Sequence, residues 1–166
     1  MEFIYNHPTI TDLQTIMTIE RLGFSQEEAA TESSMQDRLI TLNDTFLVAR
    51  AADDQQQVVG FIVGPTFTKR YLTDELYEQA QPNQDDDDYQ TVLSLAVHPD
   101  YQGHGIAGEL LTQFTALAAK AKRKAVTLTC LERLVPFYEA HGFVNEGRSE
   151  SDHAGEHWYN LVKTLS

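Results

Sequence analysis

Val97-His98-Pro99-Asp100-Tyr101-Gln102-Gly103-His104-Gly105-Ile106-Ala107-Gly108 is the stretch on which the fold turns. It follows an apolar strand read at 91–97. It precedes a helix predicted over 110–121, whose Leu110, Leu111, Phe114, Leu117 and Ala118 share one face. Gly103, Gly105 and Gly108 spell G-x-G-x-x-G, the pattern of a dinucleotide-binding turn. Three features count against a nicotinamide site. Residues 98–102 separate the strand from the first glycine, and too little chain follows for a doubly wound sheet. The acidic ribose ligand expected about 20 positions on falls in the basic stretch 120–124. The physics of the turn is independent of that name. Glycines let the backbone approach a ligand, and a helix N-terminus offers free N–H groups to phosphate oxygens. A pyrophosphate fits here; a turn made only for packing is the alternative.

Working outward, 1–5 alternates as an opening strand, and Leu13, Ile16, Met17, Ile19 and Leu22 recur at helical spacing up to Gly23. Ser25 with Glu28 is a capping-box pair, predicting a second helix from there towards Leu42. Residues 45–51 and 58–67 read as a hairpin around a polar turn at 52–56. A short helix is expected at 72–78, followed by Pro82, Asn83 and the run Asp85-Asp86-Asp87-Asp88. Contiguous carboxylates point in divergent directions, so a solvated, mobile loop is expected there rather than a divalent metal site. A strand at 125–130, a short helix at 135–140 and closing strands at 143–147 and 157–164 complete the order. That order predicts one α/β (α+β) domain over 1–166, a mixed sheet with helices on both faces.

The 166 residues suffice for one buried core, and 42% hydrophobic with 22% charged residues is ordinary globular usage. No apolar run reaches the roughly 18 residues that a membrane span needs. Met1-Glu2-Phe3-Ile4-Tyr5 carries no basic stretch leading into an apolar run, so no secretory signal is expected. Cys130 is the one cysteine, which rules out an intrachain disulfide and fits the cytoplasm. The net charge of −13 repels nucleic acid and anionic membranes. It would favour cationic small molecules, and plain solubility explains it equally well.

Two stretches carry a resemblance. The run 97–107 resembles the coenzyme A signature of the GNAT acetyltransferases, Q/R-x-x-G-x-G/A, with Gln102, Gly105 and Ala107 in its defined positions. Leu131-Glu132-Arg133-Leu134-Val135-Pro136-Phe137-Tyr138-Glu139-Ala140-His141-Gly142-Phe143 resembles that superfamily's second signature, in the form found in the arylalkylamine (serotonin) N-acetyltransferases. Ile19-Glu20-Arg21 with Phe24, and Leu72-Thr73-Asp74-Glu75, are weaker echoes. The resemblance implies a twisted, largely antiparallel sheet of about seven strands and about four helices, with a splayed central strand pair. It also implies acetyl-CoA as cosubstrate, no metal, and a small-molecule amine as acceptor, with a peptide amine or a degenerate acetyl-CoA-binding module as alternatives. A monomer or homodimer is expected.

In such a family the backbone of Gln102, Gly103, His104, Gly105, Ile106 and Ala107 would cradle the pyrophosphate, and Leu95, Ala96 and Val97 would pair with the pantetheine arm. Acetyl transfer needs a neutral amine, a polarised carbonyl and a proton for the leaving thiolate. Tyr138 matches the family's general acid, although a Pro-Phe-Tyr run at a helix start also anchors cores. The arylalkylamine enzymes carry two histidines where this chain has Thr91 and Leu93, and neither residue can act as a base. The proton is then expected to leave through water to a carboxylate, for which Glu20 is the candidate. Phe24, Phe67 and Tyr71, with Thr91 and Leu93, are the expected substrate-side residues. His98 is expected to shape the turn with Pro99, the cations at 120–124 to offset a helix dipole, and Cys130 to be buried filler.

Overall fold

The structure, a computed structural model, describes residues 1–53 and 55–165. Strand β1 (Phe3–Asn6) leads into helices α1 (Leu13–Gly23) and α2 (Glu32–Thr41), then strands β2 (Phe46–Ala51) and β3 (Val58–Val63). A two-residue β4 (Thr66–Phe67) and a single-turn α3 (Glu75–Glu78) precede β5 (Tyr89–Val92) and β6 (Ser94–Val97). Helix α4 (Ile106–Lys120), β7 (Ala125–Leu131), α5 (Val135–Ala140), β8 (Val144–Arg148) and β9 (Trp158–Thr164) follow. The strands form two sheets, β1-β2-β3-β6 and β4-β5-β7-β9-β8. Among the described residues every pairing is antiparallel except β5 with β7.

Helices cover both faces of the first sheet. Ile16, Met17 and Ile19 of α1 and Met35 and Leu39 of α2 pack on Phe46, Val48 and Phe61. Ile106, Leu110, Leu111 and Phe114 of α4 pack on Leu47, Val59 and Ile62 from the other side. This is why β3 reads as an unbroken apolar run: all six of its residues are buried. Each such large side chain contributes about 1.5–3 kcal/mol by leaving water. No helix among the described residues is long and apolar enough to cross a membrane.

The sequence predicts single strands at 58–67 and 91–97, and the structure divides both. The cause is a close approach. A Cβ at Gly64 would stand 2.0 Å from the Thr91 carbonyl oxygen, so only glycine fits where the two chains cross. The Thr91 N–H and Oγ1 both donate to the Pro65 carbonyl, at 3.0 and 2.7 Å. Gln90 Nε2 donates to the Gly64 carbonyl at 2.8 Å. At this knot β5 pairs with β7 from Tyr89 to Val92, whereas β6 stays on β3 through Ser94 to Val97. The chain changes sheets at Leu93, and β6 and β7 diverge from there.

Two further expectations are corrected. Ser25 and Glu28 do exchange reciprocal hydrogen bonds, each at 3.3 Å, but they close only a turn. Helix α2 begins at Glu32, with Thr31 Oγ1 accepting from the Ser34 N–H at 3.1 Å. Asp85 and Asp86 of the aspartate run are exposed to solvent as expected, but the run is tied to the fold rather than loose. Arg123 Nη1 donates to the carbonyls of Gln84, Asp85 and Asp87 at 2.8, 3.1 and 2.7 Å. Asp87 is buried and accepts from Thr66 Oγ1 at 2.6 Å, while Lys124 pairs with Asp88 at 3.2 Å. Among the described residues no acidic, histidine or cysteine cluster is arranged to hold a metal ion.

Candidate active site

The divergence of β6 and β7 opens a cavity of about 1020 Å³. One wall is β6. His98 N–H donates to the Val59 carbonyl at 2.8 Å, which fixes the parity of the β3–β6 ladder. By that parity the N–H and C=O of Leu95 and Val97 point away from β3, along the edge that β7 leaves unpaired. The opposite wall is β7, through Leu128, Thr129, Cys130 and Leu131.

At one end lies the glycine turn. Gly103 (φ +85°) and Gly105 (φ +76°) are both left-handed, and a Cβ at either would meet nothing within 4 Å. Glycine is therefore required here by backbone conformation alone, and the space beside the turn stays open. Gly105 caps α4, a 15-residue helix whose first N–H groups have no intrahelical acceptor. These N–H groups and the helix dipole suit an anion such as a pyrophosphate. Gln102, Gly103, Gly105, Ile106 and Ala107 line the cavity. His104 does not; its ring lies 5.7 Å from that of Phe3, so only its backbone belongs to the turn. His98 Nδ1 accepts from the Asp100 N–H at 3.1 Å and so shapes the turn.

Tyr138 enters from α5, where its ring is held edge-on by Phe137 at 5.1 Å and Phe143 at 5.6 Å. It is 7% exposed and lines the cavity. Burial, reinforced by Cys130 and Tyr77, pushes its hydroxyl pKa well above the ordinary value, so it stays protonated. Cys130 is buried with its thiol pushed up to about 12, which makes it a poor nucleophile.

Glu20 reaches the cavity from α1 and is 1% exposed. Its Oε2 accepts from the Ala30 N–H at 2.8 Å, and Oε1 has no partner. Burial raises its pKa, against the opposing pull of the Ala30 N–H, Arg38 and Ser94. A carboxylate poised in this way can accept a proton.

Phe24 and Leu93 line the cavity with these groups; Phe67, Tyr71 and Thr91 do not. Thr91 is wholly buried, its hydroxyl spent on Pro65. The Tyr71 hydroxyl donates to Glu146 at 2.7 Å, beside the Arg70–Glu146 pair at 2.6 Å. The Asp85–Asp88 run lies off the cavity too. Sequence reasoning missed Arg38, Tyr77 and Trp158, which line it. A signal existed for Arg38: it shares the helical face of Met35, Leu39 and Leu42.

The sheet split between two strands, the left-handed glycine turn at a helix start and the buried Tyr138 thus share one cavity. The acetyltransferase (GNAT) domain profile matches residues 43–145, and the chain belongs to that family. It is an acetyl-CoA-dependent N-acetyltransferase of the GNAT type. No curated protein matches the sequence. Among solved structures, Ard1 from Thermoplasma volcanium superimposes with a TM-score of 0.79 at 19% identity, over 100% of this chain and 99% of that one. The NatC complex bound to Gag peptide and CoA gives 0.79 at 18% identity, over all of both chains. The PaiA N-acetyltransferase from Thermoplasma acidophilum, in complex with coenzyme A, gives 0.73 at 17%, over 99% and 100%. At these identities the likeness is one of fold.

Proposed function

We propose that this chain transfers acetyl from acetyl-CoA to the primary amine of a small molecule, by direct attack within a ternary complex. One observation carries the proposal: a protonated tyrosine and a half-satisfied buried carboxylate line the same cavity as the phosphate-type turn. The open left-handed turn and the free N–H groups of α4 fit a pyrophosphate, and the free edge of β6 at Leu95 and Val97 fits a pantetheine amide. Acetyl-CoA, when bound, supplies an activated acetyl thioester.

The residues then divide the work. Glu20 takes the amine's proton, directly or through a water, so that the nitrogen lone pair is free to attack. The Val97 N–H polarises the carbonyl as an oxyanion hole would. As the C–N bond forms and the C–S bond breaks, the Tyr138 hydroxyl gives its proton to the departing sulfur, and the second proton that the nitrogen sheds on becoming an amide restores the hydroxyl, directly or through water. Leu93 and Phe24 stand on the acceptor side. The site works as a monomer or homodimer in a reducing cytoplasm.

Thiol release with a panel of primary amines tests this. Tyr138→Phe should lower kcat by roughly 10²–10⁴-fold and change the acetyl-CoA dissociation constant little; an unchanged kcat removes the acid role. A second reading, transfer to a peptide amine, is favoured by the NatC neighbour bound to Gag peptide and CoA. A higher kcat/KM for peptides than for free amines would establish it instead.

A further inference from the structure

Arg38 occupies a position on α2 that its neighbours on that face fill with apolar side chains, and it is only 3% exposed. Glu20 on α1 is only 1% exposed. Burying a charge is costly unless it is paired and hydrogen-bonded. Both groups are half-used. Arg38 Nη2 donates to the Tyr77 carbonyl at 3.2 Å, and Glu20 Oε2 accepts from Ala30. Arg38 Nη1 and Glu20 Oε1 have no hydrogen-bond partner, and among the described residues no ion pair joins the two. Both side chains line the cavity wall, with Phe24 and Tyr77 beside them. The two charges offset each other through space, and Ser94 also favours the Glu20 carboxylate. Buried polar atoms are almost always hydrogen-bonded as well, so two orphan atoms of opposite charge, on side chains that line one cavity, leave a place for a ligand that supplies both bonds.

We propose that the acceptor is an amino carboxylate, a zwitterion of the amino-acid type, with its carboxylate on Arg38 Nη1 and its amine beside Glu20 Oε1. This rests on the acetyl-transfer function above and names the substrate class of that site. A guanidinium matches a carboxylate in shape and charge, and a desolvated pair of this kind is strong. The charges around the site agree with it. Burial lowers the Arg38 pKa, and Glu20, Tyr77 and Asp37, the last accepting from the Ala80 N–H at 3.0 Å, oppose that and favour the charged guanidinium. Glu28, Asp74 and Glu78 also line the cavity and favour an ammonium over an anion, and Arg133, the other arginine there, is exposed. The carboxylate is therefore drawn to Arg38. The surface charge of −13 repels a free anion at long range but leaves a zwitterion, with no net charge, unaffected.

The test pairs amino acids with their decarboxylated amines, such as phenylalanine with phenethylamine, leucine with isoamylamine and lysine with cadaverine. Thiol release gives kcat and KM for each. In at least one pair the amino acid should be preferred. Arg38→Met should then raise its KM about 10- to 100-fold and bring the within-pair ratio of kcat/KM towards one. Arg38→Lys keeps the charge and loses the fork, so its ratio should fall between. Thermal melts and acetyl-CoA affinity report whether each variant is folded, and Arg38→Lys carries the test if Arg38→Met is not. A preference for the decarboxylated amine in every pair overturns the inference, as does an equal loss on both members of a pair. Either result leaves acetyl transfer standing. Failure of the wild-type protein to bind acetyl-CoA overturns the function itself.

Discussion

At the residue scale, the site is a contest between burial and charge. Tyr138 and Glu20 are both pushed by burial towards their protonated forms, with opposite consequences. For an acid that suits the task. For a base it sets a limit: Glu20 accepts a proton only when ionised, so activity should be lost as pH falls through its raised pKa. The acid limb of kcat/KM should thus lie above the ordinary glutamate value of 4.5. Glu20→Gln should remove that limb and depress kcat; a limb that persists in the variant assigns it to another group. Tyr138 was legible as a candidate because it sits inside a signature, and Glu20 only through a weaker echo at 19–21; both line the cavity. Arg38 was visible as an arginine on an apolar helical face, but which of its nitrogens lacks a partner is a property of the packed cavity. Phe67 and Tyr71 look like pocket aromatics in the sequence, yet the Glu146 side chain captures the Tyr71 hydroxyl away from the cleft.

At the element scale, α4, β7 and α5 were readable because their local periodicity agrees with their tertiary surroundings. Boundaries set by distant contacts were not. Ser25 and Glu28 carry the chemistry of a helix start and make its hydrogen bonds, but the chain turns away before α2. The division of β3 from β4, and of β5 from β6, depends on Gly64 meeting Thr91, residues far apart in sequence. That contact predicts a sharp contrast between two glycines. Gly64→Ala drives a Cβ to 2.0 Å from a backbone oxygen, so backbone must shift, and the cost should exceed the roughly 1–3 kcal/mol typical of overpacking. Gly105→Ala has open space around it, and should cost only the roughly 1–2 kcal/mol of a left-handed residue. Denaturant melts of both variants decide it; equal losses would mean that the crossing relaxes freely.

At the scale of the whole molecule, the fold carries a pH-dependent fastening. Arg50 of β2 grips Asp12 with two hydrogen bonds of 3.0 and 2.7 Å, tying the first sheet to the start of α1. Burial opposes the Asp12 charge, but the bonds from Arg50 and from the Thr9 N–H outweigh it and hold the carboxyl below its ordinary value of 3.8. A depressed pKa stabilises the fold fully above the unfolded value, and that share is lost as pH falls through the folded one. Asp12→Asn should therefore cost about 1–2 kcal/mol at neutral pH, and progressively less in acid. A loss independent of pH would make the contact one of shape rather than charge.

The change of sheets at Leu93 has a consequence for how the protein coheres. The strands make two sheets, and between β6 of one and β7 of the other lies an open seam. On the proposed reaction, the pantetheine arm lies in that seam and bonds to the vacant edge of β6, much as a missing strand would. The cosubstrate is then also a stitch. Each turnover unpicks it when the spent thiol leaves, so the enzyme is loosest at the moment when it must exchange its ligands.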